Sequence, residues 1–225
     1  MVAETEQGGK GRIRVVRHDG HLTRRDRNLL NGHASGLLWF TGLSGAGKST
    51  IAHGVEKNLY ERGIRSFVLD GDNIRCGVNS DLGFSREDRR ENIRRIAEIA
   101  ALFMEAGVIV LASFITPYRA DREYLRQRFK GDHFYEIYVK CALEECERRD
   151  PKGKYRLARQ GLIPEYTGIS SPFEEPDHPD LVIDTEKTSA AAAVEIVLSF
   201  MALQGLLKVH LPSTEASQKK ARKFP

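Results

Sequence analysis

Short apolar runs, each closed by glycine or by charge, recur along the chain and alternate with segments of helical spacing. Leu37-Leu38-Trp39-Phe40 lies between glycines without polar alternation, which predicts a parallel strand buried on both faces. After a glycine-rich loop, Ile51, Val55 and Leu59 recur at helical spacing until Gly63, a residue suited to a left-handed cap. Ser66-Phe67-Val68-Leu69 reads as a second strand ending in Asp70-Gly71-Asp72. Ser85-Arg86-Glu87-Asp88 resembles a capping box, and Ile93, Ile96, Ala97, Ala100 and Phe103/Met104 place one apolar face on the following helix, closed by Gly107. The same reading gives a strand over Val108 to Phe114, a helix from about Tyr118 to Phe129, a strand over Phe134 to Val139 and a helix over Leu143 to Arg149. Leu181-Val182-Ile183 is the fifth strand, and Ser189 to Leu207 the closing helix. Alternation of this kind predicts an α/β fold, one parallel sheet covered by helices on both faces.

Composition bounds this picture. A chain of 225 residues with 40% apolar and 29% charged residues suits one globular domain plus extensions, or at most two small domains. Its longest apolar run, the six residues Ile99 to Met104, falls far short of a membrane span, which needs roughly 18 to 20. The N-terminus lacks the basic start and apolar stretch of a secretory signal, so the cytoplasm is the expected compartment. Cys76, Cys141 and Cys146 are odd in number and show no Cys-x-x-Cys spacing, against a disulfide scaffold or zinc ribbon. The charge is peripheral: residues 1–33 carry +3 and 208–225 carry +4, so the total of +4 leaves −3 on the central 174. With no aromatic residues interleaved among the terminal basic ones, a nucleic-acid partner is not expected. The chain divides into an N-terminal arm over 1–33, its first part disordered, a body over 34–207, and a basic tail over 208–225. Within the body, residues 150–179 are rich in Lys, Gly, Pro and Ser and read as a lid or substrate loop.

One motif decides the chemistry. Gly42-Leu43-Ser44-Gly45-Ala46-Gly47-Lys48-Ser49 matches G-x-x-x-x-G-K-[ST], follows a predicted strand and opens a predicted helix. Glycines let successive backbone N–H groups converge on phosphate oxygens, and the helix N-terminus adds positive potential. Lys48 then neutralises the terminal phosphates while the Ser49 hydroxyl ligates magnesium. Such a loop binds a nucleoside triphosphate but does not name the acceptor. A GTPase should carry Asn-Lys-x-Asp, and no Asn-Lys pair occurs. The strand Val108 to Phe114 ends without the acid that many ATPases place there, so the acid is sought in Asp70-Gly71-Asp72, at a strand end where open α/β sheets hold ligand groups. At extended spacing both carboxylates project from one side, one for magnesium or its waters and one for the proton of an attacking hydroxyl. Arg75, Arg89 and Asn92 follow, with guanidinium forks suited to a second anionic substrate. For Arg90 and Arg94 a solvated face is the better reading, and Phe84 is either a base-stacking face or a packing staple.

These segments, together with Asp81-Leu82-Gly83-Phe84-Ser85, Glu91-Asn92-Ile93-Arg94-Arg95, Ser113-Phe114-Ile115-Thr116-Pro117-Tyr118-Arg119, Arg149-Asp150-Pro151-Lys152-Gly153 and Tyr166-Thr167-Gly168-Ile169, make the chain similar to adenylylsulfate kinases over nearly all of residues 12–205. The resemblance implies a three-layer P-loop kinase fold with a five-stranded parallel sheet in the order 2-3-1-4-5. It also implies a homodimer, possible contact with an ATP sulfurylase, and transfer of the γ-phosphoryl group of ATP, with Mg2+, to the 3′-hydroxyl of adenosine 5′-phosphosulfate (APS). Gly42 to Thr50 would bind ATP, with Lys48 and Asp72 catalytic and Ser49 and Asp72 at the metal. Asp70, Asp72, Arg75, Phe84, Arg89, Asn92, Ile115, Thr116, Lys152 and Tyr166 would bind the acceptor, Phe84 and Tyr166 sandwiching its adenine. The chain has Thr116-Pro117-Tyr118 where the family has Ser-Pro-Tyr or Ser-Pro-His, and Tyr166 where phenylalanine is usual. Direct in-line transfer is favoured over a covalent role for the Thr116 hydroxyl. With no cysteine before Cys76, the redox switch of plant-type members is not expected.

Overall fold

Strict alternation along β1 (Gly36–Thr41) divides the core of this computed structural model, which describes His18 and residues 20–207. Leu38 and Phe40 point to one face of the sheet and Leu37 and Trp39 to the other, as period-two geometry requires, and all four are fully buried. Burying side chains of this size is worth roughly 1.5–3 kcal/mol each. The first face is covered by α2 (Lys48–Glu61) and α8 (Ala190–Leu203), through Ile51, Val55, Leu59, Val194 and Val197. The second is covered by α4 (Arg86–Glu105) and α5 (Arg119–Arg128), through Ile93, Ile96, Ala100 and Leu125.

The remaining strands are β2 (Ser66–Asp70), β3 (Ile109–Ser113), β4 (Phe134–Lys140) and β5 (Leu181–Asp184). Every pairing is parallel and the order is β2-β3-β1-β4-β5, as the resemblance implied. The β2–β3 register sets Asp70 opposite Ser113, so the ends of three neighbouring strands, β2, β3 and β1, deliver Asp70, Ser113 and Thr41 to one end of the sheet. No helix among the described residues is long and apolar enough to cross a membrane.

Three helices lie where the pattern gave weak or no signal. The arm contains α1 (Arg24–Asn31), started by a Thr23/Asp26 capping box. It docks by polar contacts, Arg24 Nε donating to Ser35 Oγ at 2.6 Å and Asn31 Nδ2 to the Gly107 carbonyl at 2.9 Å, and it buries no residue. Apolar periodicity is therefore a poor guide to it. Asp70 caps the short α3 (Gly71–Arg75). After α6 (Leu143–Arg149), the expected lid contains α7 (Lys154–Arg159), whose Tyr155 and Ala158 enter the core. The segment 150–179 is thus partly helical and anchored. The disorder expected for the start of the arm and the basic tail fall outside the described residues.

Candidate active site

The turn out of β1 depends on Gly42. Its φ is 145°, and a Cβ there would stand 2.4 Å from the Val139 carbonyl oxygen. The residues Gly42 to Gly47 then curl into the first turn of α2, with Gly47 at φ 103°. Lys48 is 8% exposed and folds back across the loop, its Nζ donating to the carbonyls of Gly42 at 2.9 Å and Leu43 at 2.7 Å. Burial lowers its pKa to about 8, against the attraction of neighbouring groups that include Asp70 and Asp72. The loop is braced from outside: Tyr155 Oη donates to the Ser44 carbonyl at 2.9 Å, and Thr185 Oγ1 to the Ala46 carbonyl at 3.0 Å. Thr50 is exposed on α2.

Asp70 and Asp72 do not share a face. Asp70 Oδ1 accepts from the Asp72 N–H at 3.0 Å and starts α3, which turns Asp72 away from the strand direction. The extended spacing assumed from sequence is lost at Gly71. Asp70 Oδ2 accepts from the Ser49 hydroxyl at 2.6 Å, and Ser113 Oγ lies 3.1 Å from the same hydroxyl. Asp72 instead faces the lid, paired with Lys152 and with Lys154 Nζ at 3.2 Å. Partial burial works against its ionisation, but the hydrogen bonds from the two lysines outweigh this and hold the carboxyl below its usual range.

Beyond Asp72 stands a cationic, aromatic wall. Arg75 donates to the carbonyls of Leu82 and Gly83 at 3.0 and 2.9 Å, and its guanidinium lies 4.4 Å from the Phe84 ring centre. Phe84 is 52% exposed, so it is no buried staple. Arg89, buried on α4, donates to the Phe84 carbonyl at 2.8 Å and the Glu165 carbonyl at 2.6 Å, joining this wall to the lid. Asn92, one turn on, accepts from Asn79 at 3.0 Å. Tyr166 is largely buried, its ring edge-on to Tyr155 at 5.1 Å, and among the described residues it makes no ring contact with Phe84. Ile115 and Thr116 follow β3, with Thr116 buried at φ 46°. Arg94 pairs with Glu91 on the exposed side, the solvated role expected of it.

Ser113, Lys154, Tyr155, Arg149 and Thr185 were not among the residues read as site-forming. Arg149 Nη1 donates to Thr185 Oγ1 at 3.1 Å and so sits behind the P-loop brace. Only Lys154 carried a usable signal, a second lysine two positions from Lys152 at the head of a helix. A cavity of about 590 Å3 opens beside Leu43, lined also by Tyr138, Leu143, Ile169, Phe173 and Glu175, away from Asp72.

Hard oxygen donors gather at Ser49, Asp70 and Ser113, a set suited to magnesium. No group of three or more His, Cys, Asp or Glu converges on a metal position among the described residues. An ion at this place would complete its shell with phosphate oxygens and water. The expected metal ligand Asp72 sits with the lysines, and Asp70 occupies the position beside Ser49.

The sequence profile of adenylylsulphate kinase matches residues 34–184. An adenylyl-sulfate kinase of Geotalea daltonii is 53% identical over 199 residues, 88% of this chain and 98% of that one. A probable adenylyl-sulfate kinase of Bacillus subtilis is 49% identical over 193 residues, 86% of this chain and 97% of that one. The structure of the Mycobacterium tuberculosis APS kinase CysC in complex with AMPPNP and APS superposes with a TM-score of 0.73 at 43% identity, covering 76% of this chain and 99% of that one. The chain is therefore a member of the adenylylsulfate kinase family.

Proposed function

We propose that this protein transfers the γ-phosphoryl group of ATP to the 3′-hydroxyl of APS, giving ADP and 3′-phosphoadenosine 5′-phosphosulfate (PAPS) in cytoplasmic sulfate activation. The observation that carries the reading is the position of Asp72, between a triphosphate cradle and the wall of Arg75, Phe84 and Arg89, with lid lysines closing over it. Lys48 exchanges its two loop carbonyls for the terminal phosphates of ATP. Ser49 and Asp70 would hold Mg2+, which would supply charge neutralisation on the phosphates. Phe84 offers the acceptor a stacking face, and Arg75 and Arg89 face its phosphosulfate and ribose region. The 3′-oxygen forms a bond to the γ-phosphorus as the bond to the β,γ-bridging oxygen breaks, and the hydroxyl proton passes to Asp72.

Held low by two lysines, Asp72 is a weak base in the ligand-free state. In a loose transition state the hydroxyl keeps its proton until late, so Asp72 acts first by orienting that hydroxyl. The lysines that leave it can turn to the transferring phosphoryl group. The Thr116 hydroxyl accepts from Trp39 Nε1 at 2.8 Å deep in the core, which supports direct transfer over a covalent relay. A homodimer belongs to the same proposal and is read by sedimentation velocity.

Coupled ADP release tests the reading, with APS compared against nucleoside monophosphates and sugars and PAPS identified as product. Preference for any other acceptor overturns it. Binding of ATP and APS without PAPS formation in the presence of magnesium would make the protein a binding module instead.

A further inference from the structure

The loop leaving β3 is held in a conformation that its sequence does not favour. Thr116 is β-branched and stands at φ 46°, in the left-handed region that such residues occupy only when their surroundings impose it. The Ile115 carbonyl is engaged by Thr41 Oγ1 at 2.7 Å and the Gly42 N–H at 3.4 Å. By contrast, the N–H groups of Ile115 and Thr116 make no hydrogen bond among the described residues. Successive N–H donors beside a left-handed residue form a concavity that attracts anions.

The clamp comes from Arg122 on α5, itself 3% exposed. Its Nη1 donates to the Thr116 carbonyl at 2.7 Å and its Nη2 to the Glu174 carbonyl at 2.6 Å. Its Nε lies 3.1 Å from Oε1 of Glu136, a buried carboxylate on β4. The Glu174 N–H donates to the Pro117 carbonyl at 2.8 Å, so the segment after the lid and the loop after β3 are tied into one ring around this guanidinium. Only a planar fork spans two carbonyls and a carboxylate at once; an ammonium offers a single point of attachment.

We propose that Arg122 is a positioning residue for the acceptor: by holding the left-handed turn at Thr116, it aims the free N–H groups of Ile115 and Thr116 at an anionic group of the bound sulfonucleotide. This rests on the reading of residues 115–116 as part of the acceptor pocket. Among the described residues Arg122 makes no hydrogen bond or ion pair with the P-loop, and the loop it holds meets the cradle through the long contact between the Ile115 carbonyl and the Gly42 N–H, so its loss should be felt by the acceptor far more than by ATP.

The test is steady-state kinetics on the full chain with separate titrations of APS and ATP, wild type alongside Arg122→Lys. Lysine keeps the charge opposite Glu136 but loses one carbonyl. KM for APS is expected to rise about tenfold with KM for ATP within about twofold, while the buried carbonyl left without its donor lowers the melting temperature by a few degrees. Adding Thr116→Ser keeps the hydroxyl for Trp39 but relieves the β-branch, and should recover part of the lost APS affinity. Parallel rises in both KM values, or no change in either, overturn the proposal. So does a double variant no better than Arg122→Lys alone. A wild type that makes no PAPS defeats the functional reading as well, whereas an active wild type with an indifferent Arg122→Lys defeats only this inference.

Discussion

The donor and acceptor sides of the site are built in opposite ways. The P-loop is eight consecutive residues between a buried strand and a helix, with Lys48 bonded to its own loop and the outer carbonyls tied to Tyr155 and Thr185. The acceptor side is gathered from α3, α4, the loop after β3 and the lid, and its key groups stay open: Phe84 is 52% exposed and the side chain of Asp72 49%. One side is finished before a ligand arrives, and the other is completed by it. Damage to the first should therefore abolish turnover with any acceptor, and damage to the second should discriminate between substrates.

Lys48→Met is the most severe way to test that contrast, with turnover expected to fall by about 10^3-fold or more in an ADP-release assay. Retained activity would mean that the cradle does not bind the transferring phosphates. Asp72→Asn comes next: kcat should drop about 10^2-fold with KM for ATP within about twofold, because its observed partners are the lid lysines and its proposed one the acceptor hydroxyl. Equal losses in both would place Asp72 on the donor side.

Phe84→Ala should raise KM for APS by roughly 5- to 150-fold, about 1–3 kcal/mol of stacking, and leave ATP untouched. The smallest effect is that of pH. Because burial pulls Lys48 to about 8, and its charged form binds phosphate, ATP affinity should be intact at pH 6.5 and weaken as pH rises through about 8. Calorimetry in buffers of different ionisation enthalpy should then find proton uptake on ATP binding at pH 8.5 and none at pH 6.5. Uptake at neither pH would mean that Lys48 keeps its charge when buried.

The same contrast governs what could be read from sequence. The cradle is contiguous, and its glycines, lysine and flanking strand and helix carry their meaning in order. The parallel sheet was legible from Leu37 to Phe40 and its successors because strands buried on both faces need unbroken apolar runs. Strand order was not in the periodicity; it came with the family resemblance.

On the acceptor side, spacing misled at Asp70-Gly71-Asp72, since a side-chain cap at Asp70 converts an extended pair into a helix start. Composition alone reads 150–179 as a loop, whereas Tyr155 and Ala158 anchor α7 in the core. Ser113 reaches Ser49, 64 residues away, through the pairing of β1 with β3, and Arg122 ties to the Glu174 carbonyl across 52 residues. Contacts between residues distant in sequence leave no local trace.

The central claim is that the cradle and the wall meet at Asp72. A crystal structure with a non-hydrolysable ATP analogue and APS bound together tests it most directly. The ribose 3′-hydroxyl is expected within hydrogen-bonding reach of the Asp72 carboxylate and in line with the γ-phosphorus, with the adenine of APS on Phe84. A sulfonucleotide lodged away from Asp72, its 3′-hydroxyl facing neither the carboxylate nor the γ-phosphate, would contradict it.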